Sequence, residues 1–279
     1  EQRSALADRA DRADLPAEAP AVLRLLEALV AVRRHETGAR ERVSDALTTL
    51  ADGPALADPV VAQLAAQAAV TLIAPERIRE LVRASLSATD VPAAMRGRLL
   101  YAVGIGDAWS GDLVRGQLGM RAAREMARQA GAVPMEAEAT CLLAKIEALR
   151  GELDAARAHL EEGRDIGARA GSEWVAGGYL ECSLPVHLLS GDEQAYRAVL
   201  EVIVHGRHGL DSLLFWEYAA ELATLHALAG DPSGAAAVLA GLPPPPPDLP
   251  GSSALAPWAD WLGDLADPER ADALERAVE

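Results

Sequence analysis

Apolar and polar positions alternate along most of this chain with the 3.6-residue period of amphipathic helices. Residues 17–36 form one such helix, Thr37-Gly38 interrupts it, and residues 39–51 form a second that ends at Asp52-Gly53-Pro54. Residues 55–73 and 76–88 make the next pair around Ala74-Pro75. Beyond this point glycine sets the rhythm. Trp109-Ser110-Gly111-Asp112, Leu149-Arg150-Gly151-Glu152, Leu189-Ser190-Gly191-Asp192 and Leu228-Ala229-Gly230-Asp231 place their glycines 40, 40 and 39 residues apart. A second series, Gly131, Gly171 and Gly209, falls midway. Glycine ends a helix at least cost in the left-handed conformation, and an acid just after it favours the start of the next helix. Each period therefore predicts one helical hairpin, and six hairpins are expected between Ala17 and Leu242. The second helix of the unit also repeats in detail: Arg124, Met126, Ala130 and Gly131 return as Arg164, Ile166, Ala170 and Gly171.

The flanks read differently. Residues 1–16 are a polar, charge-rich leader, Pro243 to Pro247 open a proline-rich linker over 243–253, and a C-terminal helical cap is expected over 254–279. Arg, Glu, Gly or Pro interrupts every apolar run before it reaches membrane-spanning length, about 18 residues. Nothing resembles a secretory signal, and a first residue other than Met suggests an excised or processed chain.

Composition narrows the class. Half of the 279 residues are hydrophobic but only 4% are aromatic, so the apolar surface is Ala, Leu and Val, which suits closely packed helices and argues against a β-sandwich or barrel. Collagen, disorder and a disulfide scaffold are excluded on the same ground. The net charge of −16 would repel a polyanion, so no direct nucleic-acid contact is expected from this region. Cys141 and Cys182 are the two cysteines and suit a reduced cytoplasm. The absence of asparagine rules out N-glycosylation.

Within each hairpin, small residues flank a large one. Counting from Gly111 they are Gly104, Gly116, Met120 and Ala123; from Gly151, Ala144, Ala156, Leu160 and Gly163; from Gly230, Ala223, Ala235, Leu239 and Leu242. From Gly191 the small positions hold Leu184 and Tyr196. This pattern resembles tetratricopeptide repeats, at a period longer than the usual ~34 residues. The longer period and the Ala/Arg-rich second helix ending in Ala-Gly resemble the sensor region of maltose-regulator-like signal-transduction ATPases, which include large ATP-binding LuxR-type transcription regulators. The resemblance covers 17–242 and implies an all-α, right-handed superhelical solenoid. It also implies a role in effector sensing and protein interaction, with self-association as one output. The family's phosphate loop and DNA-reading helix-turn-helix do not occur in this chain.

Enzyme motifs are absent: there is no C-x-x-C, H-E-x-x-H, G-x-S-x-G or full G-x-G-x-x-G. Gly104-Ile105-Gly106 follows a helical pattern, so Gly104 reads as the small repeat position. His205 and His208 have metal-compatible spacing but no third ligand nearby, and read as solvated histidines at a helix end. His187 and His226 occupy equivalent repeat positions and are expected to make polar contacts with a neighbouring helix. The cysteines read as small buried hydrophobes. Trp109 shares its slot with Leu149, Leu189 and Leu228 and reads as core. Trp174 and Trp216, with Phe215 and Tyr218, read as inter-repeat packing or a pocket lining, and Trp258 with Trp261 as an end cap or a docking surface.

The resemblance implies that the first helix of each hairpin lines a concave groove. The inward positions carried over are Arg98, Tyr101, Ile105 and Trp109, then Glu138, Cys141 and Lys145, then Glu181 and Pro185, then Glu217 and Thr224. Pro185 is expected to kink or end its helix and widen the groove. Lys145, the only lysine, either binds ligand or pairs with Glu138, Glu181 or Glu147. The expectation is a non-enzymatic module without cofactor, metal or membrane contact, binding a small effector or a partner segment. The alternatives are a free-standing peptide-binding scaffold and, least favoured, a helical enzyme using the Lys145, Glu138, Glu181 and histidine neighbourhood.

Overall fold

The computed structural model describes residues 19–33, 38–51, 54–71, 75–87, 91–171, 173–206, 213–240 and 242. Among them there are twelve α-helices, one 3-10 turn and no strand. The helices are α1 (Ala19–Arg33), α2 (Ala39–Ala51), α3 (Pro59–Thr71), α4 (Pro75–Ser87), α5 (Ala93–Trp109), α6 (Leu113–Gln129), α7 (Val133–Leu149) and α8 (Leu153–Ala170). They continue as α9 (Glu173–Leu189), α10 (Glu193–His205), α11 (Leu213–Leu228) and α12 (Pro232–Ala240), with the 3-10 turn at Pro54–Ala57 before α3. The chain divides into two compact units, Glu1–Cys182 and Ser183–Glu279, and the division falls inside α9. The leader, the proline run, the segment after it with Trp258 and Trp261, His208 and Gly209 lie outside the described residues. So do the side chains of Trp174 and Phe215.

In the first unit each helix packs on its neighbours in sequence: α1 on α2, α3 on α4, α5 on α6, α6 on α7, and α7 on α8. Its N-terminal half is held by a cluster of Leu25, Val43, Leu47, Leu50, Ile78, Leu81 and Leu99 among many alanines. Each buried leucine or isoleucine of this kind contributes about 2 kcal/mol of transfer free energy. Further along, Met120, Leu143 and Ile146 form the core, with Tyr101, Ile105 and Leu142 packed against it. In the second unit α10 packs on α11 and α11 on α12, around buried Leu200, Ile203, Leu222 and Ala235.

The turns form where the glycines predict them. Gly111, Gly131, Gly151, Gly171, Gly191 and Gly230 all have positive φ. At Gly111, Gly151, Gly191 and Gly230 the glycine N–H donates to the carbonyl three residues back, and the next N–H donates to the carbonyl five residues back. At the first turn these bonds are Gly111 to Ala108 at 3.1 Å and Asp112 to Asp107 at 2.9 Å. This is the Schellman arrangement, which satisfies carbonyls that a helix end leaves open. The following acid then opens the next helix. Asp112 accepts from Arg115 N at 3.1 Å and Asp192 from Ala195 N at 3.1 Å. Asp231 accepts from Gly234 N at 2.9 Å, with Pro232 in the first helical position. The backbone N–H of Gly234 leads the bonds that hold the Asp231 carboxyl below its usual range. Glu152 makes no such cap.

No atom lies within 4 Å of a Cβ built at Gly151, so alanine there is opposed by backbone conformation alone. Gly151→Ala is expected to cost about 1 kcal/mol, read as a lower urea midpoint at unchanged slope.

The small positions do bring helices together. A Cβ on Gly119 would lie 2.9 Å from Gly104 Cα, and one on Gly116 would lie 2.8 Å from Ala108 Cβ, while Met120 Cε sits over Gly104. In the next hairpin Ala144 and Ala156 are fully buried, and Cys141 Sγ sits where a Gly163 side chain would go. In the second unit Leu184 and Tyr196, which fill the nominally small slots, are both buried. Pro185 does not end its helix: α9 runs through it.

Candidate functional site

The carried-over positions of the first unit stand on α5, α7 and α9. Tyr101 is half-buried, packed with Ile105 and Leu142 on the Leu143–Ile146 core. Burial is the main cause pushing its phenol up, and the charges of Glu138, Cys182, Cys141 and Glu181 add to it. Residues from two other helices, α7 and α9, therefore lie within electrostatic reach of this phenol on α5. Lys145 is half-buried and close enough to Cys182 to oppose the burial that drives that thiol up. Glu138 and Glu181 are likewise half-buried, and each engages a neighbour. Lys145 has no ion-pair partner among the described residues. At neutral pH the phenol and both thiols are protonated, so this face offers hydrogen bonding and ionic contact rather than a nucleophile.

Other carried-over positions behave differently. Cys141 is 2% exposed, with its sulfur against Gly163 of α8 and its thiol pushed up by burial to about 12. It is thus a packing residue rather than part of an open surface. Arg98 is exposed on α5. Trp109 is 47% exposed, and Leu149, Leu189 and Leu228 are 49%, 48% and 78% exposed, so the core reading of this slot is corrected. The reason is positional: the slot is the last helical residue before each cap, where the side chain has left the packed face. In the second unit Glu217 is exposed, and Thr224 bonds back to Ala220 O at 2.8 Å. Trp216 is buried there, as packing requires.

The pairing of Lys145 with Glu147 is also corrected. Glu147 has no exposed surface, and its partners come from elsewhere. His159 Nδ1 of α8 lies 2.6 Å from its Oε2, while Gln117 Nε2 and Arg121 Nη2 of α6 donate to Oε1 at 3.1 and 3.3 Å. Gln117 Oε1 accepts from Arg150, and Arg150 pairs with Glu152 at 2.8 Å. A carboxylate buried in the last turn of a helix meets both a desolvation penalty and the negative end of the dipole, so it needs this many donors. Forty residues earlier Asp107 occupies the same repeat position, nearly buried and ion-paired with Arg79 of α4. At the equivalent place in the second unit His226 pairs with the cap acid Asp231 at 3.0 Å, across its own turn rather than with a distant helix. The legible signal was that Asp107, Glu147, His187 and His226, each four residues before a turn glycine, are all titratable.

Burial pushes the Asp107 carboxyl up by more than Arg79 draws it down. The folded state then holds this proton to a higher pH than the unfolded chain. The contribution of the group is complete below the unfolded value, about 3.9, and is lost as pH rises through the folded one. Urea titrations at several pH values should show Asp107→Asn gaining on the parent chain as pH rises from about 4 to 7; a difference that moves the other way contradicts the assignment.

Between α1 and α2 lies a shallow cavity of about 260 Å³, floored by Ala28, Ala31 and Ala46 and rimmed by Arg24, Glu27, Arg42 and Asp45. It is remote in sequence from the Tyr101 face. Among the described residues no group of His, Cys, Asp and Glu could hold a metal ion, and no helix is long and apolar enough to cross a membrane. No family model, curated protein or solved structure matches the chain.

Proposed function

We propose that this chain is the effector-sensing and protein-interaction region of a large ATP-binding LuxR-type transcription regulator. In this reading its hairpins stack as a right-handed tetratricopeptide-like solenoid in the cytoplasm, and the region has no catalysis of its own. The observation that supports it is the meeting of Tyr101, Glu138 and Glu181, contributed by the alternate helices α5, α7 and α9, with Lys145 two turns along α7. Binding on such a face acts by preference: an effector that favours one arrangement of the helices shifts the population toward it, by no more than its difference in affinity for the two.

Thermal-shift screening of the chain against a metabolite panel tests the face. A ligand whose affinity falls at least about tenfold in both Lys145→Ala and Glu181→Ala supports it, and unchanged affinity in both variants removes it. The regulator assignment is tested by the reading frame. A phosphate-loop ATPase upstream and a helix-turn-helix downstream support it, and a frame with neither refutes it.

A further inference from the structure

The cavity between α1 and α2 is lined by the same four positions of each helix. Arg24, Glu27, Ala28 and Ala31 on α1 and Arg42, Asp45, Ala46 and Thr49 on α2 stand at i, i+3, i+4 and i+7, so each set occupies one helical face. Both faces read arginine, acid, alanine, small residue. The helices are joined through five residues and pack on each other as an antiparallel hairpin, so the two patterns run in opposite directions. An arginine therefore stands toward each end of the cavity, with Glu27 and Asp45 between them over a floor of buried alanine methyls. These charges are not spent on each other. Elsewhere Arg77 closes on Glu80 at 2.7 Å with the order and spacing of Arg24 and Glu27, and Arg79 and Arg128 close on acids three residues away at 2.6 Å. Among the described residues the side chains of Arg24, Glu27 and Asp45 make no ion pair or hydrogen bond, whereas Arg42 engages a neighbour.

We infer that this cavity is a ligand site of its own, separate from the Tyr101 face, and that it takes a free α-amino acid with an aliphatic side chain. The ligand carboxylate lies on the Arg24 guanidinium, its ammonium between Glu27 and Asp45, and its side chain on Ala28, Ala31 and Ala46. Charge selects the zwitterion. A dicarboxylate stretched between the two arginines would bring its middle past both acids, and a diamine held by the acids would leave the Arg24 guanidinium unpaired. Arg24 and Glu27 are one turn apart, a rise of about 4.5 Å, which two flexible side chains close on ligand charges about 3 Å apart. Size sets the upper limit. A volume of about 260 Å³ is that of about nine water molecules in the liquid, room for one free amino acid and too little for a tripeptide. The alanine floor offers no side-chain hydrogen bond, so an aliphatic group loses nothing there and a polar one is desolvated without return.

The test is titration of the intact, isotope-labelled chain with L-leucine, L-leucinamide and N-acetyl-L-leucine, followed by backbone amide chemical shifts. Leucine should shift amides of α1 and α2 saturably, and each capped form should bind at least about tenfold more weakly. In Arg24→Gln, leucine and its amide should bind nearly alike; in the double variant Glu27→Gln with Asp45→Asn, leucine and its acetylated form should do so. All three positions are exposed, so these variants keep the fold. Absence of a saturable shift up to about 50 mM leucine, equal affinity for capped and uncapped forms in the parent chain, or shifts confined to other helices overturns the proposal. No residue is shared with the Tyr101 face, so loss of that face as a ligand groove leaves this result standing.

Discussion

Glu147→Leu is expected to lower the unfolding free energy of the first unit by about 3 kcal/mol, and Glu147→Gln by about 1 kcal/mol. Leucine removes the acceptor that His159, Gln117 and Arg121 share, and leaves the nearly buried Gln117 amide with Glu152 as its one remaining acceptor. Stranding the remaining members of a buried polar network costs far more than the net worth of their bonds. Part of the loss is recovered because Arg121 and the edge of His159 reach solvent. Glutamine keeps the shape and one oxygen acceptor. Urea unfolding of the intact chain measures both, and equal losses for the two variants would show that the bonds themselves, not the stranded donors, set the cost.

Gly116→Val should cost about as much, roughly 3 kcal/mol, by another route. Even a single Cβ at 116 would meet Ala108 N at 3.0 Å and Ala108 Cα at 3.1 Å, atoms that move only if α5 and α6 separate. The gain in helix propensity from replacing glycine is smaller, under about 1 kcal/mol. Gly178 supplies the control. It also lies mid-helix but has nothing within 4 Å of its virtual Cβ, so Gly178→Ala should raise stability by about 0.5–1 kcal/mol. If both glycine variants were destabilised alike, close approach would not be the reason for Gly116.

These contrasts show where the sequence was readable. Turn positions were legible because one residue type, glycine, is needed for positive φ, and because the acid behind it acts on an N–H only three residues ahead. The small residues at 104 and 116 were legible for the same local reason, a fixed spacing from the turn. Tyr101, Glu138 and Glu181 were placed by the resemblance, counted from the turn glycines, and not by a local signal of their own. Pairings across helices were not legible. His159 finds Glu147 and Arg79 finds Asp107 through distances set by tertiary packing, and no local spacing distinguishes those partners from other charged residues nearby. Cys141 carried two readings, a small buried hydrophobe and a groove position, and its sulfur packed against the missing side chain of Gly163 bears out the first. Trp109 was misread because size and apolarity signal burial in general but not at the final residue of a helix.

The capped corners have an evolutionary consequence. Each is complete within about six residues, closing one rod and launching the next with bonds that involve no third segment. Recombination between two such corners, for instance at 111 and 151, would delete or duplicate a forty-residue block while leaving a well-formed joint at the splice. The lineage of this chain can therefore lengthen or shorten by whole modules, with the selective cost confined to side chains, such as His159 and Arg79, that reach beyond their own block.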